Sequence, residues 1–159
     1  MKETNDEKFM KRAIELARTG MQNNAGGPFG AVIVKENEII AEGWNTVTST
    51  NDPTAHAEIN AIRNACDALD GFQLLGCTIY TSCEPCPMCL GAIYWARPDR
   101  VFFAGTRADA ADAGFDDEFI YEELTRSRAQ RKIPTETILR NDAVKVFEEW
   151  NEYLDKVEY

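Results

Sequence analysis

His56-Ala57-Glu58 and Pro85-Cys86-Pro87-Met88-Cys89 constrain this chain more than any other feature. His56 is the only histidine in 159 residues, and Cys86 and Cys89 form a C-x-x-C pair. One imidazole and two thiolates suit Zn²⁺, which takes four ligands. Three protein ligands leave one position for water, the layout of a catalytic rather than a structural zinc. Glu58, two residues from His56, is within reach of that water. A fold that uses these residues must bring 56–58 and 86–89 to one place. The rival is a structural zinc, which needs a fourth protein ligand, and Cys83 is the nearby candidate.

The hydrophobic pattern supplies the frame. Residues 6–21 place Phe9, Ala13, Leu16 and Ala17 at helical spacing. Gly26-Gly27-Pro28 breaks that helix. Residues 31–34 read as a buried strand, 35–37 as a turn and 38–44 as the returning strand of a hairpin. Residues 45–51 read as a polar loop. Asp52 and Pro53 predict a helix start running to about residue 69, with Asp as N-cap and Pro at the first helical position. A strand over 77–81, a helix over 87–96 and a strand over 101–104 imply a parallel crossover. A short helix over 116–124, a strand over 135–139 and an amphipathic helix over 143–157 complete the chain. The last carries Ala143, Phe147, Trp150, Leu154 and Val157 as its apolar stripe. The expected fold is α/β: a mixed sheet with helices on both faces, formed as one domain over 1–159.

Charge narrows the partners. Lys+Arg number 17 against 27 Asp+Glu, a net charge of −10. That excludes a general electrostatic footprint for nucleic acid or anionic membrane. Arg126, Arg128, Arg131 and Lys132 are the dense basic cluster, and they read as a solvated helix end or loop. The stretch 1–11 is charged, without the apolar run of a secretory signal, and no apolar run is long enough to span a bilayer. Five cysteines, three of them between 83 and 89, read as metal binding in a reducing compartment, so the expected location is the cytoplasm. Cys66 and Cys77 read as small buried residues.

The chemistry follows from the residue types. Both candidate ligand segments fall at helix starts, His56 about one turn inside one helix and Cys86 at the edge of the next. Two positive helix ends offset the negative charge of a thiolate-rich site. Zinc acidifies a bound water, Glu58 accepts its proton, and Glu58 hands protons on, one to a ring nitrogen and one to the departing ammonia. An amidine-type carbon in a heterocycle is the natural electrophile. A zinc-stabilised scaffold without activity has no use for Glu58.

H-x-E…P-C-x-x-C is the established signature of the zinc deaminases, and at these residues the chain resembles the cytidine-deaminase superfamily. Residues 52–58 and 84–89 also resemble tRNA adenosine deaminases. Residues 26–34, 90–97, Ala113-Gly114-Phe115-Asp116-Asp117 and a chain ending in Tyr159 are similar to the bacterial guanine deaminases of that superfamily. The resemblance implies an α/β/α fold with a five-stranded sheet, one zinc per subunit, guanine as the substrate, and a homodimer exchanging C-terminal segments, 141–159 here. It implies His56, Cys86 and Cys89 as zinc ligands and Glu58 as proton shuttle. It further implies Phe29 against the purine ring, Asn45 hydrogen-bonded to the base, Trp95 as a pocket wall, and Asp117 and Tyr159 in substrate recognition and proton movement. Asp116 is the adjacent alternative to Asp117, and Tyr153 the alternative to Tyr159. On residue type alone, Phe29 reads equally as core behind the hairpin, Asn45 as a turn residue, Trp95 as helix-face packing and Tyr159 as a frayed end. Other substrates compatible with the motif are a tRNA adenosine, cytosine, or a triazine such as ammeline.

Overall fold

The computed structural model describes residues 3–159; Met1 and Lys2, part of the charged N-terminal stretch, lie outside the described residues. The elements in order are α1 (Asn5–Gln22), β1 (Gly30–Lys35), β2 (Glu38–Trp44), α2 (Val47–Thr50), α3 (Ala57–Ala68), β3 (Cys77–Cys83), α4 (Pro87–Ala96), β4 (Arg100–Gly105), α5 (Arg107–Asp112), α6 (Glu118–Thr125) and α7 (Arg140–Glu152), with a 3₁₀ turn at Arg128–Gln130. The chain divides into two compact units, the first ending at Asp117 and the second spanning Glu118–Tyr159.

The first unit holds a four-stranded sheet in the order β2-β1-β3-β4. β1 pairs antiparallel with β2 and with β3, and β3 pairs parallel with β4. The hairpin closes through Glu36 and Asn37, both at positive φ (52° and 64°), as a two-residue turn of the primed type requires. Alternation along β1 and β3 splits the core into two layers. Ala31, Ile33, Cys77 and Ile79 face one way, with Ala57, Ala61 and Ala65 of α3 and Ile93 of α4. Val32, Val34 and Tyr80 face the other, with Phe9, Ala13 and Leu16 of α1. The sheet is therefore covered on both faces, as its hydrophobic pattern predicts.

Two glycines set how closely the helices lie. A Cβ at Gly30 would come within 2.3 Å of the Ala13 carbonyl oxygen, and one at Gly43 within 2.5 Å of both Ala57 O and Ala61 N. No side chain fits between these strands and the backbones of α1 and α3. α1 begins at Thr4 with a capping box: Thr4 accepts from Glu7 N, and Glu7 accepts from Thr4 N. Tyr80 ties the same helix down from the sheet, donating to Asp6 Oδ1 at 2.5 Å.

Several expectations require correction. Asp52 does not start α3. Its Oδ1 accepts from Thr54 N (2.8 Å) and Thr54 Oγ1 (2.7 Å), a local turn that competes with capping. The helix starts at Ala57, so His56 is its N-cap rather than one turn inside. The loop over 45–51 contains the short helix α2, and α5 falls where no helix was expected. The strand over 135–139 is absent: no ladder includes these residues, which leaves a sheet of four strands rather than five. A strand exists only by pairing, and the second unit offers these residues no strand to pair with. α7 ends at Glu152 rather than 157. No residue of α7 is buried, so no packing sustains further turns.

Candidate active site

Two helix starts carry the metal-ligand types. Asn60 N donates to His56 O (3.0 Å), and Asn60 Nδ2 donates to Trp44 O (2.8 Å) and Thr46 Oγ1 (3.0 Å). These bonds fasten the first turn of α3 to the end of β2. Across the site, β3 runs to Cys83, and the chain turns through Glu84 and Pro85 into α4. Cys86 is the N-cap and Pro87 stands at the first helical position. His56 and Cys86 therefore both occupy N-caps, and Cys89 lies within the first turn of α4.

His56, Cys86 and Cys89 offer ligand atoms that all lie within 4.8 Å of one another. Cys86 Sγ is 3.6 Å and Cys89 Sγ 3.5 Å from His56 Nδ1. A tetrahedral zinc with ordinary Zn–N and Zn–S bonds places such a nitrogen and sulfur about 3.5 Å apart. The donor set therefore fits zinc in type and spacing, with Nδ1 as the histidine ligand. Cys83 stands apart, its thiol turned to Thr106 O at 3.6 Å. Burial pushes the Cys83 thiol up to about 11.

Glu58 sits in the first turn of α3, only 6% exposed. Its Oε1 accepts from Thr81 Oγ1 (3.1 Å), and its Oε2 lies 3.4 Å from Cys89 Sγ. Burial raises its pKa above the usual carboxylate range, against the two hydrogen bonds. Charge in the ligand set divides unevenly. The hydrogen bond from Cys89 holds Cys86 down at about 4, and the same bond pushes Cys89 far up. The contact with Cys86 raises His56 against the effect of burial. Metal binding to such a set needs thiolates and a neutral imidazole, so a divalent cation entering it releases protons.

The residues expected to meet a ligand are distributed as follows. Asn45 is buried, and its Oδ1 accepts from Gly27 N (3.2 Å) and Val47 N (3.1 Å). Two backbone donors on the oxygen fix the amide orientation. Asn45 N donates to Phe29 O, which links these two residues. Phe29 packs against the core and meets Phe115 edge-on, with ring centroids 4.9 Å apart at 85°. Phe115, which carries this contact, stands two positions before Asp117, and nothing in its local sequence marks it. Burial, and next the charge of Cys86, raise the Asp117 pKa, which puts that carboxyl in electrostatic range of the ligand set. Thr81 was also missed. Trp95, on α4, is 64% exposed and outside the core. Tyr159 ends the second unit and is 71% exposed.

Comparison with known proteins bears on the whole arrangement. Residues 3–105 match the family profile of the cytidine and deoxycytidylate deaminase zinc-binding region. The chain is 56% identical over 155 residues to a guanine deaminase from Bacillus subtilis, covering 98% of this chain and 99% of that one. It is 36% identical over 146 residues to a tRNA-specific adenosine deaminase from Buchnera aphidicola, covering 92% and 93%. The X-ray structure of guanine deaminase from Bacillus subtilis superposes with a TM-score of 0.96 at 55% identity, covering 98% of this chain and 99% of that one. A chain with this ligand set, this buried glutamate and these relatives belongs to the cytidine-deaminase superfamily, and within it to the bacterial guanine deaminases.

Proposed function

We propose that the protein is a zinc-dependent hydrolase that converts guanine and water to xanthine and ammonia. Glu58 carries this reading: a buried carboxylate beside a set of three ligand-type residues, where a zinc would keep a position for a reactant. The choice of guanine is supported by the relative sharing 56% identity over nearly the whole length of both chains. His56 Nδ1, Cys86 Sγ and Cys89 Sγ would hold one zinc per chain, which would supply the Lewis acidity that makes water acidic at neutral pH. Glu58 takes the proton of the attacking water at Oε2. It delivers that proton to the ring nitrogen, then takes the second proton from the hydroxyl now on the carbon and gives it to the departing amine. A C–O bond forms at the carbon bearing the amino group, the C–N bond breaks, and ammonia leaves.

Asn45 holds the base through its N–H₂, so it meets an acceptor on the purine edge. Asp117 accepts from the guanine N–H groups. The ring of Phe29, held by Phe115, stacks on the purine. Trp95 and Tyr159 close the pocket, with the Tyr159 hydroxyl at the substrate. In this reading the chain is one deaminase domain over 1–159, with 141–159 exchanged in a homodimer. The exchange is supported by large apolar side chains that are exposed in each unit: Phe147, Leu154 and Val157 after residue 117, with Leu154 97% exposed, and Tyr94 and Phe103 before it.

The setting is the cytoplasm, supported by five free cysteines. Among the described residues no helix is long and apolar enough to cross a membrane. The net charge of −10 argues against a nucleic-acid substrate. The test is ammonia release from guanine, adenine, cytosine, ammeline and their nucleosides, with a tRNA anticodon stem-loop alongside. Guanine should react fastest. Efficient deamination of the stem-loop with guanine inert would reassign the protein to the tRNA deaminases.

A further inference from the structure

We propose that Thr81 is a positioning residue for Glu58: its hydroxyl pins Oε1 and thereby makes Oε2 the oxygen that moves the proton. The inference rests on the deaminase reading above and deepens it. Thr81 lies in β3, between Ala31 of β1 and Phe103 of β4, and is 1% exposed. By alternation its side chain shares a face with Cys77 and Ile79, the face covered by α3 and α4. A hydroxyl in such a place is costly unless bonded. Its partner is Glu58 Oε1, at 3.1 Å, and among the described residues the Thr81 side chain has no other hydrogen-bond partner. Packing alone would be served as well by valine, so the hydroxyl is explained by the glutamate.

The second contact to Glu58 does not persist in the loaded site. Cys89 Sγ, 3.4 Å from Oε2, bonds it only while the sulfur keeps its proton. As a metal ligand the sulfur is a thiolate and donates nothing. Among the described side chains, Thr81 is then the donor that remains on the Glu58 carboxylate. The geometry assigns the two oxygens different work. Oε1 is anchored to the central sheet, and Oε2, on the side of the ligand set, exchanges protons with water and substrate. Threonine suits the anchor because β-branching leaves χ1 few options. A carboxylate so held needs no search over rotamers before each transfer.

The test uses the zinc-loaded, full-length protein and three variants: Thr81→Val, Thr81→Ser, and Thr81→Val combined with Glu58→Gln. Thr81→Val keeps shape and removes the donor. Its kcat should fall roughly tenfold or more, the scale of a lost hydrogen bond to a charged group. KM and zinc content should stay near wild type, and the thermal midpoint should fall by only a few degrees, as for one lost buried hydrogen bond. Thr81→Ser should recover most of the loss. In the Glu58→Gln background the valine substitution should add little, because it acts through the carboxylate it no longer finds. A role confined to packing gives the same loss in both backgrounds and no rescue by serine, and either result overturns the proposal. So does Thr81→Val with kcat within about twofold of wild type, well short of one lost charged hydrogen bond. If the wild type ignores guanine but turns over another base, the substrate reading fails and the Thr81 comparison is made with that base. No ammonia from any base overturns both.

Discussion

Gly43→Ala tests the packing that aims the site. Gly43 is in β2, and a Cβ there would lie 2.5 Å from both Ala57 O and Ala61 N. Both are backbone atoms, so no side-chain rotation relieves the clash. Ordinary non-bonded contact lies near 3.5 Å, so α3 must retreat by roughly 0.5–1 Å. Overpacking of this kind costs about 1–3 kcal/mol. At roughly 2–4 °C per kcal/mol for a chain of this size, the midpoint should fall by about 2–12 °C. The sign is diagnostic, because glycine to alanine at a permissive site stabilises by about 0.4–1 kcal/mol. Gly71→Ala is the control: the nearest atom to its Cβ is 3.8 Å away, and it should be neutral or slightly stabilising. Ala57 sits between His56 and Glu58, so the retreat displaces both. A displacement of about 1 Å can cost on the order of a hundredfold in rate. Thermal melts followed by circular dichroism, zinc content and ammonia release measure the three effects. A Gly43→Ala protein that melts no lower than wild type and retains full kcat would refute the claim that this contact sets α3.

Other expectations follow from the same contacts. Tyr80→Phe removes the bond to Asp6 and should cost about 1 kcal/mol at pH 7 by urea denaturation. Burial first, and then the Asp6 bond, raise the Tyr80 pKa in the folded protein. The tyrosine is protonated in both states below about pH 10, so its contribution is full there. Above that pH the unfolded chain ionises first, and the difference between wild type and Tyr80→Phe should shrink as pH rises. Chelation of zinc should abolish ammonia release and leave far-UV circular dichroism largely intact, because the sheet and its two core layers do not run through the ligands; added Zn²⁺ should restore activity. Deleting Glu158 and Tyr159 should leave folding and zinc content unchanged and strongly impair guanine turnover, and full activity in the truncated protein would remove the tail from the site.

What could be read in the residues divides by the range of the interactions involved. α4 was expected at 87–96 and occurs at Pro87–Ala96. Pro87 starts it, and Arg97, at φ 56°, ends it, so both signals are local. The hairpin and the clustering of His56, Cys86 and Cys89 were legible for related reasons, as alternation and ligand spacing survive in one dimension. The start of α3 was misread because Asp52 can cap a helix or close a turn, and Thr54 decides for the turn. The strand over 135–139 was misread because β propensity does not supply a ladder partner. Thr81 carried no mark at all. A threonine in a strand is ordinary, and only the fold brings it to Glu58 across 23 residues of chain. Gly43 is similar: its role appears only where α3 crosses β2.

The most direct measurement is the rate of ammonia release from guanine by zinc-loaded Glu58→Gln beside wild type. Glutamine keeps the size and the bond from Thr81 but cannot accept the proton. Zinc content should stay near wild type, thermal stability should be equal or higher because a buried carboxyl has been replaced by a neutral amide, and kcat should drop by roughly a hundredfold or more. Near-normal turnover with a full complement of zinc would mean that Glu58 does not carry the proton, and the account of this site would fail.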